Sequence, residues 1–528
     1  MKSKILVNGH LSKLIRILRS VRQGCPIAPL LYILVIETIL VKIRLNNSIY
    51  GIRSPCSNES FKVSAFADDT QFILKNEASA RKVLEIFDYF GKASGAKINR
   101  KKTEVMWLGS NINKTNISLD VKLVKNTKCL GIYFGNENTD SLNWVKCVEK
   151  YRKHLMMYID RDNTINGKTV ILNYIGYSKI WHKAFSLLLP TQNCEQVDGR
   201  IMNIQNEFNY YTSGFLWGFQ SRNLENNERA NPKRALVSLE TLYLKIEKGG
   251  TGLINYKMKL KSFRIMLVHK YCNLPEKPWK NIVRYWFCYF LRGITNEEWN
   301  SNNYPHCSVE SEIPFYFKQC IEDFREYHSK FGYNPNENLT TKCIYEKLLN
   351  ENLHIPAAVR RFSDLTFCFP TLKDSHFLDP YLRQFLFKLY HCKLIFKRYR
   401  LNINDMLNLD RQKCILCYQS IETPKHLFTQ CNYGYSLRQK RNQLLRKYNN
   451  GSDILNENNL VYSIMREKTN AAKVAQLIIT LSNFVIYQFK LKKFFNVTAE
   501  VNEHMISNNF IIRKLKCRFL SDHKRLTL

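Results

Sequence analysis

Phe66-Ala67-Asp68-Asp69-Thr70 puts two adjacent carboxylates on the corner between residues 62–66 and 70–74, two short runs that are apolar or β-branched. Runs of this kind joined by a turn-prone acidic corner predict a β-hairpin, with both Asp side chains at one edge of a sheet. Carboxylates held in this way suit Mg2+, which takes hard oxygen ligands and commonly combines one or two protein carboxylates with substrate phosphates. Asp is also a favoured turn residue, so a solvated corner has the same local sequence.

Working outward, residues 4–7, Asn8-Gly9 and residues 11–17 read as a further hairpin, because Asn-Gly is the strongest short turn signal. Pro26 and Pro29 suit the first turn of a helix. Residues 30–45 are apolar on most sides, as expected of a buried helix under a sheet. Residues 78–90 space Ala80, Val83, Leu84 and Phe87 at helical intervals and leave Arg81, Lys82, Glu85 and Asp88 outside. Residues 1–137 therefore form an α+β unit.

From residue 138 to 219 the pattern is helical. Trp144, Val148, Tyr151, Leu155 and Tyr158 fall on one face, with Lys146, Lys150, Arg152 and Lys153 elsewhere. Asn166-Gly167 predicts a break before a second helix over 168–185. Polar stretches at 220–235, 296–312 and 449–459 read as loops or boundaries. Gly249-Gly250-Thr251-Gly252 lacks the Gly-Lys-Ser/Thr ending of a phosphate loop and reads as a turn.

A second chemical signal lies at Cys414, Cys417, His426 and Cys431. Three thiolates and one imidazole at these spacings fit tetrahedral Zn2+ with every position filled by protein, which makes the metal structural. A redox Cys pair would explain Cys414 and Cys417 but not the spaced His426 and Cys431. Upstream, Tyr381, Phe385, Phe387, Tyr390, Phe396 and Tyr399 alternate with Arg383, Lys388, Lys393, Lys397, Arg398 and Arg400. The aromatics fit the core face of an amphipathic helix, and the cations fit phosphate binding.

Composition bounds the partners. The 528 residues suffice for several domains. The 80 Lys and Arg against 44 Asp and Glu leave a net charge of +36, which implies a polyanion, most naturally nucleic acid. Sixteen cysteines without a short regular framework suit reduced thiols in the nucleus or cytoplasm, not a secreted chain. The apolar stretch at residues 28–41 contains Glu37 and falls short of the roughly 20 residues that span a membrane, so no membrane partner is expected.

The run Val21-Arg22-Gln23-Gly24-Cys25-Pro26 comes first, then Ala67-Asp68-Asp69, then Ser94-Gly95-Ala96-Lys97-Ile98-Asn99, then Cys129-Leu130-Gly131-Ile132. In this order the runs resemble the reverse transcriptase of a non-LTR (LINE-type) retrotransposon, an RNA-directed DNA polymerase. The Cys414 to Cys431 run resembles the zinc motif that follows the polymerase in many such proteins. The resemblance implies Asp68 and Asp69 as catalytic Mg2+ ligands, and Arg22, Gln23 and Gly24 as template or nucleotide contacts. It further implies Leu130 and Gly131 as primer grip, and RNA and DNA as partners. The expected architecture is a partial palm over 1–137, a helical thumb over 138–219 and a mostly helical connector over 220–400. A zinc module over 401–448 and a C-terminal helical region over 449–528 complete it.

The sequence departs from that pattern in one important respect. The family has another Asp on a palm strand ahead of the Arg-Gln-Gly segment, yet Asp68 is the first Asp here, preceded only by Glu37 and Glu59 among acidic residues. Ser20 and Ala28 also stand where Gly and Ser are usual. The expectation is an N-terminally truncated enzyme that binds nucleic acid and does not polymerise alone, unless a partner or an upstream chain supplies fingers and the missing Asp. Two other readings stay open, a non-catalytic zinc-containing RNA- or DNA-binding protein and a zinc-stabilised interaction scaffold.

Overall fold

The computed structural model of the chain describes residues 2–16, 25–53, 60–191, 193–195, 201–220, 230–273, 278–294, 305–351, 355–361, 368–396, 409–448, 456–464 and 469–495. These residues are mostly helical with small strand pairs, an α+β composition. They fall into two compact units. The first comprises 1–150, 180–207 and 257–348, and the second 151–179, 208–256 and 349–528.

In the first unit the chain begins with β1 (Lys2–Ser3), β2 (Leu6–Val7), β3 (His10–Leu11) and β4 (Ile15–Arg16). β2 pairs with β3 across Asn8-Gly9, and β1 with β4. Positive φ at both turn residues, 49° and 84°, gives the corner a twist that matches the strands. Helix α1 (Ala28–Leu45) carries Pro29 in its first turn. Its C-terminal half is buried, with Ile39, Leu40 and Ile43 packed against Val83 and Ile86 of α2 (Glu77–Ser94). Its N-terminal half is not: Leu30 is 62% exposed and Leu34 67%. The expected fully buried helix is thus only half buried, because the core it shares with α2 and the acidic hairpin takes in residues from Ile36 to Ile43.

β5 (Ile52–Arg53) pairs with β6 (Ser60–Phe61), and β7 (Val63–Phe66) with β8 (Asp69–Phe72). Asn76 caps α2 by accepting the Ser79 N–H at 2.9 Å, and Gly95 ends it in the left-handed region. β9 (Glu104–Val105) pairs with β10 (Lys122–Leu123), then β11 (Asn126–Cys129) with β12 (Ile132–Gly135). Every ladder among the described residues has two strands, so the expected larger sheet is absent from them. One further pair, Cys194–Glu195 with Ile201–Met202, follows. The other described elements of this unit are helical, and Ile265, Phe287, Leu291, Phe324 and Ile344 form a core among them.

The predicted apolar face is present up to Leu155: Trp144, Val148, Tyr151 and Leu155 are buried, while Lys146, Lys150, Arg152 and Lys153 are exposed. Tyr158 falls past the helix end at Met156 and is half-buried. Asn166-Gly167 does not break a helix. Thr164 accepts the Gly167 N–H at 3.3 Å, so the helix Ile165–Ile171 starts ahead of the expected break and takes both residues into its first turn. Gly176 is required for packing, since a Cβ there would lie 2.9 Å from the Tyr151 ring.

The second unit is organised around the helix Asn470–Phe494. Ala475, Ile478 and Ile479 pack with Leu445 and Leu460. By length and composition Ala471–Phe494 matches a membrane span, but 67% of that window is buried in the protein. Its polar residues also serve the fold, as Asn483 donates to the Leu460 carbonyl at 2.7 Å. The helix is a core helix. Phe385, Phe387, Tyr390 and Phe396 are buried too, so these four of the interleaved aromatics are core residues, whereas Tyr381 is exposed. Residues 397–400, with Tyr399 and three of the cations, lie outside the described residues. Residues 249–252 form the expected turn, with Gly249 and Gly252 at positive φ. Within the predicted loop at 449–459, Glu457 begins a short helix.

Candidate functional site

β7 and β8 close on a two-residue turn, Ala67-Asp68, with Phe66 opposite Asp69. Ala67 takes φ +53°, a conformation a non-glycine residue adopts at a cost, and this lets the strands reverse within two residues. Asp68 and Asp69 are both exposed on the corner. Their surroundings can be read from their neighbours. Burial and then the Asp68 carboxylate raise the Tyr32 phenol on α1, and burial and then the Asp69 carboxylate raise the Cys129 thiol at the end of β11. No third carboxylate joins the two among the described residues, where the Cys414 cluster is the one group of three or more potential ligands.

Cys129 leads into the Leu130-Gly131 turn of the β11–β12 hairpin. Both turn residues have positive φ, 46° and 86°. Leu130 is held there by His182, whose Nε2–H donates to its carbonyl at 2.6 Å. Asn143 extends the ladder from the side: its Oδ1 accepts the Tyr133 N–H and its Nδ2 donates to the Tyr133 carbonyl, both at 2.9 Å. Lys183 Nζ in turn donates to the Asn143 carbonyl at 2.7 Å, and burial pushes its pKa down. His182, Lys183 and Asn143 have no signature in the sequence, because each acts through a contact distant in the chain. Arg22, Gln23 and Gly24 lie outside the described residues.

The four Cys and His residues converge. The ligand atoms of Cys414, Cys417, His426 and Cys431 all lie within 4.8 Å of one another. Cys414 Sγ is 3.9 Å from Cys431 Sγ, and Cys417 Sγ is 3.2 Å from His426 Nε2. Tetrahedral zinc with bonds of about 2.3 Å to sulfur needs S···S separations of about 3.8 Å, so this donor set fits the metal. Local turns build it. Cys414 N–H donates to Ser420 C=O and Tyr418 N–H to Cys414 C=O, folding the first two ligands into a knuckle. Thr423 Oγ1 accepts the His426 N–H at 3.0 Å and orients the turn that carries the third. The Cys431 thiol and the Cys417 and Leu416 N–H groups hold the Cys414 thiol down at about 5, favouring a thiolate.

The surroundings complement that negative charge. Arg438 donates to the Cys431 carbonyl and Arg441 to the Phe428 carbonyl. Glu422 Oε2 accepts the Ile415 N–H at 3.2 Å within the knuckle, and Lys490 neutralises Glu422. Lys490 went unread in the sequence because it arrives from a distant helix.

Residues 1–144 match the family described as reverse transcriptase (RNA-dependent DNA polymerase). Over 283 residues the chain is 22% identical to the Transposon TX1 uncharacterized 149 kDa protein of Xenopus laevis, an alignment covering 52% of this chain and 19% of that protein. The chain therefore spans less than a fifth of that relative's length. The acidic corner and the Leu130-Gly131 turn both fall within residues 1–144, the stretch that is similar to reverse transcriptases.

Proposed function

We propose that this polypeptide binds RNA and DNA as part of an RNA-directed DNA polymerase of the LINE type, and that by itself it binds without polymerising. The carrying observation is the family match over residues 1–144 around an exposed Asp68-Asp69 corner that no third described carboxylate joins. In this reading Asp68 and Asp69 would hold catalytic Mg2+, which when bound stabilises the attacking and leaving oxygens of nucleotidyl transfer. A remaining ligand would come from a residue outside the described ones, from a partner or from another stretch of polypeptide. Arg22, Gln23 and Gly24 contact template or nucleotide, and Leu130 and Gly131 position the primer end, with His182 fixing their backbone. Residues 1–137 act as palm and 138–219 as thumb.

Cys414, Cys417, His426 and Cys431 would hold a structural Zn2+. The net charge of +36 supports the polyanion partner. Fourteen described cysteines without a disulfide support a nuclear or cytoplasmic site of action. Binding of this kind is dominated by phosphate neutralisation and weakens steeply with salt. Dissociation constants for structured RNA and single-stranded DNA across a salt series test it, and a flat salt dependence would overturn the nucleic-acid reading.

A further inference from the structure

Two aromatic rings that neighbour ligands of the Cys3His unit in the chain face solvent. Tyr418 is 60% exposed and Tyr433 53%. Lys493 Nζ stands near both, 5.0 Å from the Tyr418 ring centroid and 5.6 Å from that of Tyr433. It is tethered there by donation to the Leu416 carbonyl at 3.3 Å. The two turns that present the rings are joined by Asn432 Nδ2, which donates to Gln419 Oε1 at 3.4 Å. Each turn is anchored on a ligand of the cluster: Tyr418 N–H donates to the Cys414 carbonyl at 2.8 Å, and Gly434 N–H to the Cys431 carbonyl at 3.1 Å.

Tyr418 has φ +59°, a conformation that suits Gly or Asn. A bulky ring kept in that conformation gains no burial to offset the strain, and such strain points to function more often than to packing. The local charge favours an anion. Residues 383–447 carry 14 basic and 3 acidic side chains. Of those acids, Glu422 is buried against Lys490 and Asp410 pairs with Lys413 at 2.8 Å.

We propose that Tyr418, Tyr433 and Lys493 form a stacking platform for unpaired bases of single-stranded RNA or DNA. The rings take base faces, and the ammonium between them neutralises a phosphate of the same strand. A duplex has its base faces already stacked and cannot use the rings, so the platform discriminates single strand from duplex. The inference deepens the nucleic-acid reading above and rests on it.

The test uses the zinc-loaded full chain, with fluorescence anisotropy on a short single-stranded RNA, the matching single-stranded DNA and the DNA duplex. Tyr418→Asn with Tyr433→Ala removes both rings, and Asn suits the left-handed backbone. Affinity for either single strand should fall at least tenfold, with duplex affinity, the salt slope and the zinc content unchanged. Tyr418→Phe with Tyr433→Phe should bind like the parent, and Lys493→Met should lower the salt slope by about one. Tyr433→Ala alone, at an ordinary backbone position, should give an intermediate loss and decides the matter if the double variant loses zinc. Equal weakening on duplex, or no weakening, overturns the platform and leaves the face to a protein partner. A parent chain that binds none of the three probes overturns the nucleic-acid reading and the platform together, an outcome distinct from loss of the platform alone.

Discussion

Lys490 Nζ lies 2.6 Å from Glu422 Oε1, and the two side chains are 1% and 0% exposed. Glu422 also accepts the Ile415 N–H, and Lys490 donates to the Ile395 carbonyl and faces the Phe396 ring at 4.5 Å. The pair thereby ties the helix Asn470–Phe494 to the turn that carries Cys414 and Cys417. Removing one partner of such a buried pair leaves an uncompensated charge and costs about 3–5 kcal/mol, whereas replacing both by apolar residues is far milder. Lys490→Met should destabilise the second unit by about that amount, and adding Glu422→Leu should restore a substantial part. Urea unfolding of the zinc-loaded chain reads both, and a double variant no better than the single one would refute the coupling.

His391 supplies a pH dependence. It is buried between Phe369 and Phe387, with its Nε2–H donating to the Gly249 carbonyl at 2.7 Å. Burial pulls its pKa down to about 4 from the ordinary 6.5. The folded pKa is the lower one, so the unfolded chain takes up the proton first. The contribution is complete above about pH 6.5 and is lost as the pH falls toward 4, a change of about 3 kcal/mol. Denaturant unfolding from pH 7 to 4 should show this decline, and His391→Gln should flatten it. An unchanged slope in that variant would assign the decline to other groups.

The parts of this chain legible in its sequence are those set by local chemistry. Asn8-Gly9, the Asp68 corner and the face shared by Trp144, Val148, Tyr151 and Leu155 follow from turn preference and periodicity. The convergence of Cys414, Cys417, His426 and Cys431 follows from ligand spacing. What escaped depends on partners remote in the chain. The ring of His182 finds the Leu130 carbonyl only once the fold is complete. The exposed half of α1, residues 28–36, is the more apolar one, while the buried half carries Glu37, Lys42 and Arg44, so hydropathy alone points the wrong way. Asn166-Gly167 misleads because the Thr164 cap, two residues earlier, satisfies the first turn and lets the helix run through it.

Structural zinc binds with a large free energy that is coupled to folding. The chain should purify with one equivalent of zinc at the Cys3His cluster, measured by atomic emission. Cys414→Ser or His426→Ala should abolish it and unfold the surrounding module while the far-UV signature of the first unit persists. A strong chelator should lower the melting temperature of the parent and leave that of Cys414→Ser unchanged. Unaltered metal content in Cys414→Ser would rule the site out.

Asp68 and Asp69 give the sharpest test of activity. Two-metal nucleotidyl transfer needs ligands that hold both ions, about 3.5–4 Å apart, across the reacting phosphate. Asp68 is the first Asp in the sequence, and among the described residues no further carboxylate joins the corner. Loss of one member of a cooperating catalytic group can cost nearly as much as loss of all, so the two aspartates should not suffice. Given primer-template, deoxynucleotides and Mg2+ or Mn2+, this polypeptide alone should extend no primer and should be indistinguishable from its Asp68→Ala variant. Nucleic-acid binding should be retained in both, since the corner adds little to the phosphate contacts. Robust extension that disappears in Asp68→Ala would mean that another residue of this chain, or a co-purifying partner, completes the metal site, and the proposal of binding without polymerisation would fall.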